Sequence, residues 1–186
     1  LIASGGLSEL ATAPGAVITH APGHEILGRG RVSAELVNNG VVSATVPGSA
    51  LLLDASPKTN NAVMRAVDAS ILRLGPTTIS QGPQGLILAD GPGSRVELSS
   101  PVITGGTLRG QGGGVVSVTL NALVDNVRAE GDLDVQVFRI LDVQNTLTNA
   151  GRITVNPTQA GATAMVRVVE AALQVSGEAG DHQVEG

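Results

Sequence analysis

The chain repeats one short aliphatic phrase at nearly constant intervals. Residues 36–54 read LVNNGVVSATVPGSALLLD, and residues 58–75 read KTNNAVMRAVDASILRLG. Matching landmarks are Asn38 and Asn60, which are 22 residues apart, and Leu53 and Leu74, which are 21 apart. A third copy ends at Leu98, 24 residues after Leu74, and looser echoes continue to Val155. Such a period indicates one supersecondary unit per repeat, and each unit can bury its apolar face only against its neighbours.

Within each repeat, two aliphatic residues flank a polar one. These pairs are Leu72 and Leu74, Val96 and Leu98, Leu133 and Val135, and Ile153 and Val155. Alternation at period two indicates half-buried strands, and the Gly-Pro and Gly-rich segments between them break helices and make corners. The sequence therefore predicts an all-β fold, a parallel β-helix (β-solenoid) with coils of about 21–24 residues.

Composition narrows the interior and the partners. Hydrophobic residues make up 42% of the chain, yet there is one Phe and no Tyr or Trp, so the core must consist of small aliphatic side chains in regular layers. The 11 Lys and Arg residues form no block, which predicts that nucleic acid is not a partner. No apolar run approaches the roughly 20 residues of a membrane span. The chain starts at Leu1 rather than Met, and we expect a segment of a longer protein.

Two asparagine pairs recur at the same place in successive repeats. Asn38-Asn39 and Asn60-Asn61 each precede a strand, where a corner is expected. Asparagine tolerates left-handed backbone, and its amide can bond to the equivalent amide of the next coil. The pairs are therefore predicted to be structural rather than to bind a ligand.

Three longer segments carry a resemblance to a known group of proteins. They are GRGRVSAELVNNGVVSATVPGSALLL, VITGGTLRGQGGGVVSV and LVDNVRAEGDLDV. They are similar to the repeat regions of large secreted or surface bacterial proteins of the adhesin and autotransporter-passenger type. The resemblance covers residues 28–155, and it implies a right-handed parallel β-helix at an extracellular or cell-surface location in bacteria. We accordingly expect an N-terminal cap or junction at 1–27, solenoid coils at 28–155, and a C-terminal coil or cap with a polar tail at 156–186.

The segment HAPGHE brings together His20, His24 and Glu25, a set of side chains that can bind a metal. A zinc-type pair of histidines at this spacing normally relies on a helix, which Pro22-Gly23 prevents. An exposed turn without a metal is the favoured interpretation.

The segment EGDLDVQVF supplies Glu130, Asp132 and Asp134, and alternation places the two aspartates on one strand face. Paired carboxylates can bind Ca²⁺ or act as the acid and base of a glycan-cleaving enzyme. The chain has almost no aromatic surface to hold sugar rings, so a solvated face is favoured. The glycines at 112–114 lack the Lys of a phosphate loop and predict a corner. Thr45, Thr78, Thr104 and Thr119 do not keep the repeat period, so no ice-binding column is predicted.

The sequence thus predicts no catalytic, cofactor-binding or metal-binding residue and no cofactor, and it favours a structural protein over an enzyme. The expected function is a rod, either an adhesin stalk or the subunit of a surface filament. Terminal segments would join copies head to tail by strand addition, and the rod would contact a cell surface or a glycan. The alternatives are a polysaccharide lyase or hydrolase built on a β-helix, with Asp132 and Asp134 as its visible carboxylates, and a non-catalytic glycan-binding passenger domain.

Overall fold

The computed structural model describes residues 8–155 and a strand at residues 165–169. These residues form strands and turns, and none of them form a helix that could cross a membrane. Most of the predicted C-terminal segment, 156–186, lies outside the described residues, and the boundaries predicted at its start and after residue 27 stay predictions.

The chain winds into a parallel β-solenoid of about seven turns, and its strands stack into three faces that we call A, B and C in chain order. Face A contains β1 (Glu9–Leu10), β4 (Gly30–Val32), β7 (Ala50–Leu53), β10 (Ile71–Leu74), β13 (Arg95–Leu98) and β16 (Val115–Val118). Face B contains β2 (Val17–His20), β5 (Glu35–Asn38), β8 (Lys58–Asn60), β11 (Thr78–Gln81), β14 (Val102–Thr104) and β19 (Met165–Val169). Face C contains β3 (Glu25–Gly28), β6 (Val41–Ala44), β9 (Val63–Ala66), β12 (Leu86–Asp90) and β15 (Thr107–Gln111).

Two long strands complete the solenoid. β17 (Ala122–Val135) and β18 (Ile140–Val155) each run through faces B, C and A without a break in the strand. The register between them shifts once, between Asp125 and Val127, at the corner from face B to face C. Asn126 and Asn145 have positive φ at this corner, and the bulge turns the strand without ending it.

The landmarks that define the repeat in sequence are neighbours in space. Asn38 pairs with Asn60, Leu53 with Leu74, and Leu74 with Leu98, all in parallel register. The predicted fold and repeat length are therefore confirmed for the central coils. The first coil is shorter, since Glu25 pairs with Val41, an advance of only 16 residues.

The core is a set of aliphatic columns that run along the solenoid. On face A, the column contains Leu51, Leu72, Val96, Val116 and Leu133, each paired with the next and each buried. Every coil presents its aliphatic side chains at the same depth, so a coil that could not bury them alone does so in the stack. The chain's single aromatic residue, Phe138, lies outside this core at a corner and is 67% exposed.

Candidate functional site

A ladder of side-chain amides lies inside the corner between faces B and C. The His20 Nδ1 atom lies 2.8 Å from Asn38 Oδ1, and Asn38 Nδ2 donates to Asn60 Oδ1 at 2.8 Å. Asn60 Nδ2 donates to Gln81 Oε1 at 3.2 Å, and Gln81 Nε2 ends the ladder on the carbonyl of Gly105 at 3.0 Å. His20, Asn38 and Asn60 are buried, so the ladder satisfies polar groups that water cannot reach. Four coils are joined by side chains in addition to the strand hydrogen bonds.

The second asparagine of each pair forms a separate, exposed link. Asn61 Nδ2 donates to Asn39 Oδ1 at 2.9 Å. The predicted bonding of both asparagine pairs along the stack is therefore confirmed. The left-handed backbone that the same argument allowed occurs instead at Asn126 and Asn145, farther along the same corner.

Removing a buried amide should weaken the fold far more than removing its exposed neighbour. Asn60→Ala leaves Gln81 Oε1 and the carbonyl of Leu86 without their donor and is expected to lower the free energy of unfolding by about 2 kcal/mol. Asn61→Ala is the matched control, because it deletes the same group one residue away at the surface and should change stability by about 0.5 kcal/mol or less. Urea unfolding of the two variants measures the difference, and equal losses would contradict a buried ladder.

A lysine lies inside the solenoid. Lys58 takes an inward position between Leu36 and Ile79 in the face B column, and it is 1% exposed. Its Nζ atom donates to the carbonyls of Asp54 (2.9 Å) and Ser56 at the preceding corner. Burial lowers the pKa of Lys58 to about 8, against the opposing effect of the nearby carboxylates of Asp54 and Glu35.

Small residues fill one column at the corner from face C to face A. In chain order they are Gly28, Ala44, Ala66, Ala89, Gly110, Gly131 and Gly151, each in register with the next. A Cβ atom at Gly131 would collide with the backbone carbonyl of Gly110, and one at Gly151 would collide with the backbone of Gly131. The column shows that adjacent coils approach closely here, which a larger side chain would prevent.

Ion pairs join the coils on the outer surface of faces A and C. Arg31 reaches Glu9 (3.3 Å) and Asp54 (2.8 Å) on face A and at the end of that face. Arg73 and Glu97 pair at 2.7 Å on the same face. Being largely exposed, each pair contributes little to stability, but each fixes one coil against another.

Face C carries the remaining ion pairs of the described residues. Glu130 accepts from Arg109 and from Arg128, and these hydrogen bonds, first that from Arg128, lower the pKa of its carboxyl group against the effect of burial. Arg152 pairs with Asp132 at 3.0 Å, and Arg65 with Glu25 at 3.7 Å.

The structure separates the three residues of the HAPGHE segment. His20 is buried in the amide ladder, His24 lies in the exposed turn that follows β2, and Glu25 begins β3 and pairs with Arg65. Within the described ranges, no group of three His, Cys, Asp or Glu side chains is placed to bind a metal ion. The turn predicted at Pro22-Gly23 is present, but His20 is not part of an exposed turn, because its ring faces Asn38.

Asp132 and Asp134 do project from the same side of β17, as alternation predicts. Asp132 is bound by Arg152, and Asp134 accepts from Gln136 Nε2 at 2.8 Å. The glycines at 112–114 lie at the corner between β15 and β16, as predicted. The sequence reasoning missed the role of Lys58, although a lysine at an otherwise aliphatic column position is a signal that a repeat alignment could have shown.

Comparison with known proteins found no matching family model, no matching curated protein and no matching solved structure. The β-solenoid fold therefore stands on the strand pairing itself. The likeness of residues 28–155 to adhesin and autotransporter-passenger repeats stays a prediction from sequence.

Proposed function

We propose that the chain is a structural rod of the bacterial cell surface, acting as the stalk of an adhesin or as the subunit of a surface filament. The observation that carries this proposal is the use of side chains to join coil to coil. Of the seven ion pairs among the described residues, six connect different coils, and only Arg128 with Glu130 lies within one strand. Polar chemistry is thus spent along the axis rather than gathered in a groove.

Bonds along the axis give such a rod its stiffness. Strand hydrogen bonds, the amide ladder and the ion pairs all run from coil to coil, so bending the rod strains several of them at once. Seven coils at about 4.8 Å each extend about 34 Å, and further coils would lengthen the rod without changing its cross-section. A spacer that holds a binding domain away from a surface needs this property.

The enzymatic alternative requires carboxylates that are available to a substrate. Its two candidates, Asp132 and Asp134, are each bound to a neighbouring side chain, which favours a structural role for them. A glycoside hydrolase instead holds its two carboxyl groups across an open substrate site. The non-catalytic glycan-binding alternative has no specific contact residue to support it.

Two measurements on the purified chain test the proposal. Electron microscopy should show rods, with fibres of regular axial repeat for a filament subunit and separate short rods for a stalk segment. A reducing-sugar assay against acidic and neutral polysaccharides should show no release of product. Product release that disappears in the Asp132→Asn variant would contradict the structural role and support the enzyme.

Exposed apolar side chains indicate where copies would join in a filament. Leu10, Val17 and Leu27 are exposed in the first coil, one on each face, and β2 has a partner on one side only within the described chain. A lysine on an edge strand discourages strand addition. Val17→Lys should therefore abolish fibres, whereas Val102→Lys, in the same outward column but in the middle of the rod, should not.

A further inference from the structure

Face B differs from the other two faces in its charge. None of the seven ion pairs lies on it, no arginine of the described strands projects from it, and its lysine, Lys58, points inward. Its outward charges in the described strands are carboxylates near the two ends, at Glu35 in one direction and at Asp125 and Asp142 in the other. Between them lies an uncharged surface.

The uncharged surface is an ordered array of small hydroxyl-bearing and β-branched side chains. One outward column contains Thr19, Val37, Thr59, Ser80 and Thr104, each in register with the next. A second column, two residues earlier in each strand, contains Pro57, Thr78 and Val102 in the central coils. The strands β2, β5, β8, β11 and β14 pair without a register shift, so the columns are straight. The threonines do not share one spacing in sequence because the coils differ in length, and only the register brings them together.

The array has a defined geometry. Neighbouring members of a column are about 4.8 Å apart, and the two columns are about 6.6 Å apart along the strands. Each threonine contributes a hydroxyl group that both donates and accepts, beside a methyl group that excludes loosely held water. An array of this kind can hold water molecules at fixed, repeated positions.

We propose that face B binds the surface of ice. An ice crystal presents an uncharged, rectangular net of hydrogen-bonding positions whose repeats resemble those of the array. A charged side chain in the middle of the face would hold its own hydration shell in place of the lattice, and the three central coils have none there.

Two other occupants fit the face less well. A glycan surface would be held by aromatic rings that stack on sugars, and the chain's one aromatic residue, Phe138, lies at a corner instead. A second copy packed face to face would bring carboxylates of the same sign together at the ends, through Glu35 and Asp125.

The test compares two substitutions in the same coil. Thr104 lies in the array, and Thr107 begins β15 on face C, with a similar partial exposure. Thr104→Tyr and Thr107→Tyr add the same bulky, uncharged ring on adjacent faces. Ser80→Tyr provides a second disruption of the array at a fully outward position, and circular dichroism verifies that all three variants keep the fold.

The measurement is the partition of the purified chain into a slowly growing ice hemisphere, together with inhibition of ice recrystallisation. The proposal predicts enrichment of the unchanged chain and of Thr107→Tyr in the ice, and at least a tenfold reduction of recrystallisation inhibition by Thr104→Tyr and Ser80→Tyr. Exclusion of the unchanged chain from ice overturns the proposal, and so does an equal effect of all three variants. Retention on crystalline cellulose or chitin that Thr104→Tyr abolishes, without enrichment in ice, assigns the face to a glycan and also overturns it.

Discussion

Gly131→Ala is expected to lower the free energy of unfolding by at least about 3 kcal/mol, or to prevent folding, although it adds a single methyl group. Two effects combine at this position. Gly131 has a φ of +71°, which an L-residue adopts only with strain, and its new Cβ atom would collide with the backbone carbonyl of Gly110 in the preceding coil. Neither the carbonyl nor the coil can move away without breaking strand pairing between β15 and β17.

Two other glycines separate these effects. Gly48 has a φ of +66° with no atom near its Cβ position, so Gly48→Ala measures the backbone strain alone and should destabilise by about 1 kcal/mol. Gly151 has no positive φ, but its Cβ atom would meet the backbone of Gly131, so Gly151→Ala measures the collision alone. Thermal unfolding of the three variants gives the order, and a loss at Gly131 no larger than at Gly48 would contradict the close approach of the coils.

The stability of the fold is expected to rise as the pH rises from about 8 to about 10.5, and Lys58 is the reason. Its pKa is about 8 in the folded chain and near 10.5 once unfolded, so between these values the unfolded state binds the additional proton. Below pH 8 both states are protonated, and the folded state carries the full penalty of a buried ammonium group. The gain on raising the pH is about 2 kcal/mol once solvent screening is allowed for.

The composition makes this measurement unusually clean. The chain contains no Cys and no Tyr, and Lys58 is its only lysine, so few other groups titrate in this range. Urea unfolding at a series of pH values should show the rise in the unchanged chain and a flat profile in Lys58→Met, which keeps the volume of the side chain in the column between Leu36 and Ile79. The amine of the single lysine can also be titrated directly by ¹⁵N NMR. A midpoint near 10.5 in the folded chain would show that Lys58 is not buried.

The sequence was sufficient to predict the solenoid because one strong constraint repeats. Leu72 and Leu74 alternate around Arg73, the same pattern returns at Val96 and Leu98, and the stack requires these residues to be neighbours. The asparagine pairs followed from the same register, since a corner residue in one coil must lie above its equivalent in the next.

The features that escaped prediction depend on the exact length of each coil. The column that joins Thr59, Ser80 and Thr104 has spacings of 21 and 24 residues, so a fixed period misaligns it. The place of Lys58 escaped because a lysine in a strand is normally taken as outward, and only the register shows that it aligns with Leu36. His20 was assigned to a turn with His24 because proximity in sequence concealed its pairing with Asn38.

The most direct test of the account is the distance between spin labels placed in one column of the solenoid. Cysteines at Thr19 and Thr104 are 85 residues apart in sequence but four coils apart in the stack, or about 19 Å. Cysteines at Thr19 and Gln144 are six coils apart, or about 29 Å. The chain has no cysteine of its own, so each pair reports a single distance. Narrow distributions that differ by about 10 Å are the result that the solenoid predicts, given two further coils of about 4.8 Å each. Broad distributions, or a second distance no longer than the first, would contradict it.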